Sequence, residues 1–208
     1  MKHLQLFTIA FLFLLLFCAC NKGPYASTNK MYKKQAKELA AVLRNAPLKD
    51  SFETAPFVGT INFNLRKPNF VILHHTAQNS CEQTLKTFTL SRTQVSAHYV
   101  ICKDGTVYHM LNDYLRAWHG GISRWGNSTD INSNSIGIEI DNNGFDPFSE
   151  AQLGSLINLL GQLKRAFGIP SANFIGHADI APTRKNDPNV HFPWKRFADQ
   201  GYGLWWSD

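Results

Sequence analysis

No stretch of this 208-residue chain is apolar for the roughly 20 consecutive residues that a membrane-spanning helix needs; the longest such run, Leu4 to Phe17, falls short and contains Gln5 and Thr8. No His-Glu-x-x-His pattern occurs, which removes the commonest class of zinc protease. Blocks of like charge are missing too. Lys and Arg number 21 against 15 Asp and Glu, a net charge of +6, but the basic residues are scattered, so no nucleic-acid partner is expected. Internal repeats and low-complexity segments are also lacking, which excludes a solenoid. Charged residues make up only 17% against 44% hydrophobic, too apolar a balance for a disordered chain. The length suits one globular domain at the usual ~150 residues per domain.

Cysteine is scarce as well, and the positions of the four residues are informative. Met1-Lys2-His3 is a short basic start, Leu4 to Phe17 is nearly all apolar, and small residues follow, which is the three-part plan of a secretory signal. Phe17-Cys18-Ala19-Cys20 resembles the bacterial lipoprotein box. That resemblance implies a signal peptide over 1–19, a lipid anchor on Cys20, and an exported protein held in the cell envelope, at the outer membrane facing the periplasm. Residues 20–49 are then a tether and an N-terminal helix, and 50–208 the functional domain. Cys81 and Cys102 remain. In an oxidising compartment such a pair can bridge, but nothing in the sequence says that the side chains meet, and two separate buried thiols are the alternative.

Tyr32, Ala36, Leu39, Ala40 and Leu43 recur at helical spacing, with lysines on the opposite side, and Pro47 stops that helix. Phe70-Val71-Ile72-Leu73 is a continuous apolar run after Pro68, as in a strand buried on both faces, and it leads into His74-His75. Ser80 and Gln83 have the spacing of a capping box for a helix to about Ser91. Ala97 to Cys102 and Thr106 to Leu111, joined by Asp104-Gly105, read as an antiparallel hairpin. Ser135 to Asp141 alternates strictly, so Glu139 faces away from a layer of Ile136, Ile138 and Ile140. Ser149 and Gln152 cap a second helix, ended by Gly168 and Pro170, and a short strand from Asn173 to Gly176 leads to His177. A polar, proline-bearing loop then runs to Trp194. Strands interleaved with helices predict an α/β fold, a central mixed β-sheet flanked by helices.

His74 and His177 each follow a strand, and Asp187 lies in the loop beyond. Neutral imidazole nitrogens and a carboxylate oxygen are the ligands that a catalytic zinc takes when it keeps one position open. His75 alternates to the other side of its strand. By residue type alone these histidines read equally as polar strand-end residues.

The surrounding motifs add to that reading. Phe70 to Ala77, Val95 to Ile101 with Lys103-Asp104-Gly105, Arg116-Ala117-Trp118-His119-Gly120-Gly121, Ser135 to Ile140, and Gly176 to Pro188 occur in order. Together they resemble the N-acetylmuramoyl-L-alanine amidases of the AmpD and AmiD type, in the superfamily that also holds the peptidoglycan recognition proteins. The resemblance implies the peptidoglycan-recognition-protein-like amidase fold and one zinc ion on His74, His177 and Asp187; the oligomeric state stays open, with a monomer favoured. It makes Glu139 and Lys185 catalytic and His119 a substrate contact, and it implies peptidoglycan or muropeptide as substrate. The phage and recognition-protein branches carry a tyrosine where this chain has Ala97 and a cysteine where it has Asp187, which aligns the chain with the AmpD and AmiD branch. A non-catalytic peptidoglycan-binding module of the same fold is the alternative; it predicts a broken ligand set. Trp205 and Trp206 are either a sugar-stacking patch or an aromatic tail packed on the domain.

Overall fold

The computed structural model describes residues 23–44, 60 and 62–206, and the chain divides into two units between Ile61 and Asn62. The expected signal segment, Cys20 and Pro47 lie outside the described residues. In the first unit α1 (Ala26–Val42) forms as its spacing predicts, and no residue of it is buried. Among the described residues no helix is long and apolar enough to cross a membrane.

The second unit runs β1 (Phe70–His75), α2 (Cys81–Thr89), β2 (Tyr99–Ile101), β3 (Val107–His109), α3 (Ile131–Asn134), β4 (Ser135–Ile140), α4 (Glu150–Phe167), β5 (Phe174–Gly176), α5 (His177–Ile180) and α6 (Trp194–Ala198). The strands form one mixed sheet in the order β3-β2-β4-β1-β5, with β2, β4, β1 and β5 parallel and β3 antiparallel at the edge. The expected α/β class holds, and the first strand runs two residues further than the apolar run alone, through both histidines.

The sheet has unequal faces. Val71, Leu73, Ile136, Ile138 and Ile140 point to one side and pack under α4 through Leu153, Leu156, Leu160, Leu163 and Phe167. Ser149 begins α4 by accepting from the Gln152 N–H at 3.1 Å, while the Ser149 N–H donates to the Gln152 side chain at 3.0 Å, a complete capping box. Gly168 ends α4 at φ 65°, a left-handed position that glycine adopts without cost. The other face has a smaller apolar cluster of Ile72, Ile131, Ile175 and Ile180. Beside it the sheet presents polar residues, and the site is built there.

Several elements differ from the sequence reading. The hairpin strands are shorter than expected, three residues each, although bonding between the same two segments continues beyond them: the Met110 N–H donates to the His98 carbonyl, while the His98 N–H donates to the Gly137 carbonyl on β4. Residues 177–180 and 194–198, read as loop or left unread, are short helices, four and five residues long, too short to show a period in sequence. The pairing that the sequence left open is settled, since Cys81 and Cys102 form a disulfide with their Cα atoms 5.3 Å apart, tying the first turn of α2 to the end of β2. Closing a 21-residue separation restricts the unfolded chain, so replacing both cysteines by alanine is expected to lower stability by about 3 kcal/mol. Urea unfolding measures this, and an unchanged midpoint would contradict it.

Candidate active site

The site assembles where adjacent parallel strands end, the edge at which open α/β sheets place ligands. His74 on β1 is in register with Glu139 on β4, so both side chains rise from the same face. On the other flank Leu73 pairs with Gly176, which puts His177, one residue on, level with His74. Asp187 arrives from the loop after α5, held by the Ala178 N–H donating to the Asp187 carbonyl at 2.8 Å. That loop is pinned again by Asn189, whose side-chain amide donates to Asn142 Oδ1 at 3.0 Å. Asn142 reads in sequence as an ordinary loop residue, yet it is buried and helps place Asp187.

His74, His177 and Asp187 are buried and converge. His74 Nδ1 lies 2.9 Å from His177 Nδ1 and 2.9 Å from Asp187 Oδ2, and His177 Nδ1 lies 3.0 Å from the same oxygen. The far nitrogen of His177, Nε2, is 3.1 Å from the Gly120 carbonyl, which only an N–H can satisfy. With that nitrogen occupied, Nδ1 is the atom that His177 offers to the cluster, beside Nδ1 of His74 and Oδ2 of Asp187. Two imidazole nitrogens and a carboxylate oxygen within contact distance of one another form a donor set that suits a divalent metal. Burial pushes His74 down to about 4, so it stays neutral and able to ligate near neutral pH. Burial alone would raise the Asp187 carboxyl, but interactions with His177 and His74 outweigh it and hold the group below its usual range.

A cavity of about 370 Å³ opens over this cluster and is also lined by Glu139, Lys185, Trp118 and Phe88. Glu139 Oε2 is buried and has no hydrogen-bond partner. Burial, with the Asp187 charge beside it, pushes the Glu139 carboxyl up to about 8, against the pull of Lys185. Lys185 is exposed on the cavity wall.

His119, expected as a substrate contact, lines the cavity beside Trp118 and also packs against a member of the cluster. It is buried behind His74, with its Nδ1 3.1 Å from His74 Nε2, while its neighbour Trp118 is exposed at the rim. Its ring lies against Gly137, where a Cβ would collide with it. Gly137→Ala is therefore expected to cost about 1–3 kcal/mol by overpacking and to disturb the ring on which His74 rests. Thermal unfolding with and without added zinc measures both effects. His98 is structural, its Nδ1 accepting from the Gly137 N–H at 3.0 Å. Buried His75 faces away, toward Gly144. Sequence reading missed Asn132, whose Oδ1 accepts from the N–H groups of His119 and Gly120 at 3.1 and 2.8 Å and so holds the Gly120 carbonyl under His177.

The profile of the family described as N-acetylmuramoyl-L-alanine amidase matches residues 64–190, which contain the whole constellation. The chain belongs to this amidase family. It is 36% identical over 151 residues to the N-acetylmuramoyl-L-alanine amidase AmiD of Escherichia coli K12, covering 65% of this chain and 54% of the relative. It is also 36% identical over 105 residues to the 1,6-anhydro-N-acetylmuramyl-L-alanine amidase AmpD of Haemophilus influenzae, covering 50% of this chain and 57% of the relative. The chain thus spans about half the length of the curated relatives it matches. Among solved structures, the complex of E. coli AmiD with the substrate anhydro-N-acetylmuramic acid-L-Ala-D-γ-Glu-L-Lys superposes with a TM-score of 0.64 at 33% identity, covering 71% of this chain and 62% of that one. The same amidase fold underlies both.

Proposed function

We propose that the protein is a zinc-dependent N-acetylmuramoyl-L-alanine amidase. It cuts the amide between the lactyl group of N-acetylmuramic acid and the L-alanine of the stem peptide, in peptidoglycan or muropeptides. The observation that carries this reading is Glu139: a buried carboxylate oxygen without a partner, in one cavity with a complete two-histidine, one-carboxylate ligand set. A pure binding module needs neither feature.

His74, His177 and Asp187 would hold the ion. Bound there, zinc supplies Lewis acidity and lets water ionise at about pH 7. Glu139, near the ligands but not one of them, takes the proton from the attacking water and hands it to the nitrogen of the departing L-alanine. A carboxyl raised well above its usual range is matched to that second task. Lys185 holds positive charge at the cavity wall, where negative charge develops on the carbonyl oxygen. Trp118 and Phe88 give the cavity apolar walls for the parts of the substrate that do not react.

The experiment is product analysis by mass spectrometry on purified sacculi. Free stem peptides with intact glycan are expected; shortened peptides still on muramic acid would show an endopeptidase instead. We further propose export and a lipid anchor on Cys20, resting on the apolar segment 4–17 and the Phe17-to-Cys20 box. Labelled fatty acid should enter the wild-type chain and not Cys20→Ser; equal labelling of both would refute the anchor.

A further inference from the structure

A neutral imidazole binds a metal only through the nitrogen that lacks the proton, so His74 must keep its proton off Nδ1. The residues behind His74 decide this. His74 Nε2 lies 3.1 Å from His119 Nδ1, and His119 Nε2 lies 3.2 Å from Ser135 Oγ. The single proton of Ser135 is already committed, since Oγ donates to the Ile131 carbonyl at 2.6 Å. Toward His119 the hydroxyl can therefore only accept, which puts the proton of His119 on Nε2. His119 Nδ1 is then an acceptor, and His74 must donate to it from Nε2. The Nδ1 of His74 is left bare, facing Asp187 and His177. Ser135, His119 and His74 are all buried, so water does not stand in for any link. The ring of His119 cannot turn to swap its nitrogens freely, because it lies on Gly137 and its backbone N–H is held by Asn132.

We propose that Ser135 and His119 are positioning residues of the metal centre, a hydrogen-bond chain from the Ile131 carbonyl that dictates which nitrogen of His74 ligates. The inference rests on the zinc reading above and adds residues outside the ligand set that act on it through His74. The sheet builds it. Ser135 and Glu139 stand on the same face of β4, four residues apart, so one strand supplies the proton-transfer group and the anchor of the ligand-orienting chain.

The test uses the zinc-loaded full chain. Heteronuclear NMR of the imidazole nitrogens should find protons on Nε2 of both His119 and His74; a proton on His119 Nδ1 would overturn the proposal. In Ser135→Ala the constraint is gone: His119 can carry its proton on Nδ1 and drive the proton of His74 onto its own Nδ1. Zinc affinity, measured against a competing chelator, should fall about 10–100-fold, and the visible spectrum of the cobalt-substituted protein should change. His119→Gln offers His74 a carbonyl oxygen whatever Ser135 does, so adding Ser135→Ala to it should lower affinity no further. If Ser135→Ala binds zinc as the wild type does, the chain fails while the metal centre stands. If the wild type takes up no zinc, the metal centre fails and the inference with it.

Discussion

Glu139→Gln is expected to lower turnover on muropeptides by about 10²–10⁴-fold while zinc content stays as in the wild type. The side chain of Glu139 shares the cavity with the ligands, and its buried oxygen has no partner within the protein, so glutamine can take its place without breaking a hydrogen bond. What glutamine cannot do is hold or release a proton. The same substitution has a stability signature in the metal-free protein. The folded-state pKa of Glu139, about 8, lies above its ordinary 4.5, so between these values the folded chain binds the proton that the unfolded chain releases. Its contribution to stability is full below about 4.5 and is lost as pH rises toward about 8. Glu139→Gln should remove that fall, seen as a flatter dependence of the urea midpoint on pH than in the wild type. Retained turnover in the variant would end the assignment of Glu139 as the proton-transfer group.

The sequence shows most of what the backbone needs and part of what the site needs. Strict alternation over Ser135 to Asp141 put Glu139 on the face opposite the isoleucines, and that is where it stands, because a strand buried against a helix leaves each side chain only one choice of face. The apolar run before His74 placed that residue at the end of a central strand for the same reason. What the sequence withheld was pairing across distance. Strand order decides that β4 and β5 flank β1, and only then do Glu139 and His177 meet His74. The role of His119 was hidden for a related reason. A Trp-His pair suggests a cleft wall, and both residues do line the cavity, but the histidine also reaches back to His74 across space left open by the absence of a side chain on Gly137. Asn132 and Asn142 hold loops through buried amide groups, and nothing local distinguishes them from asparagines at turns. The disulfide was hidden in the same way, since α2 has to dock before Cys81 can reach Cys102.

Removing the metal, or the carboxylate that completes its site, is expected to weaken the fold as well as abolish hydrolysis. In the metal-free chain His177 Nδ1 and Asp187 Oδ2 stand 3.0 Å apart and buried, linked by a hydrogen bond between the two side chains. A divalent ion replaces that single contact with bonds to His74, His177 and Asp187 together, tying the loop that carries Asp187 to two strands. At a zinc concentration about 1,000 times the dissociation constant, binding adds about 4 kcal/mol to unfolding. For a domain of this size that corresponds to a rise in Tm of about 10 °C. Asp187→Ala should lose the zinc, the hydrolysis and this rise together. Glu139→Gln should lose the hydrolysis and keep the rise, which separates the two roles in a single set of thermal unfolding curves with and without chelator. Should metal-free and zinc-loaded wild type unfold at the same temperature, the three buried side chains would not be a metal site, and the reaction would have to be sought in another arrangement of the same cavity.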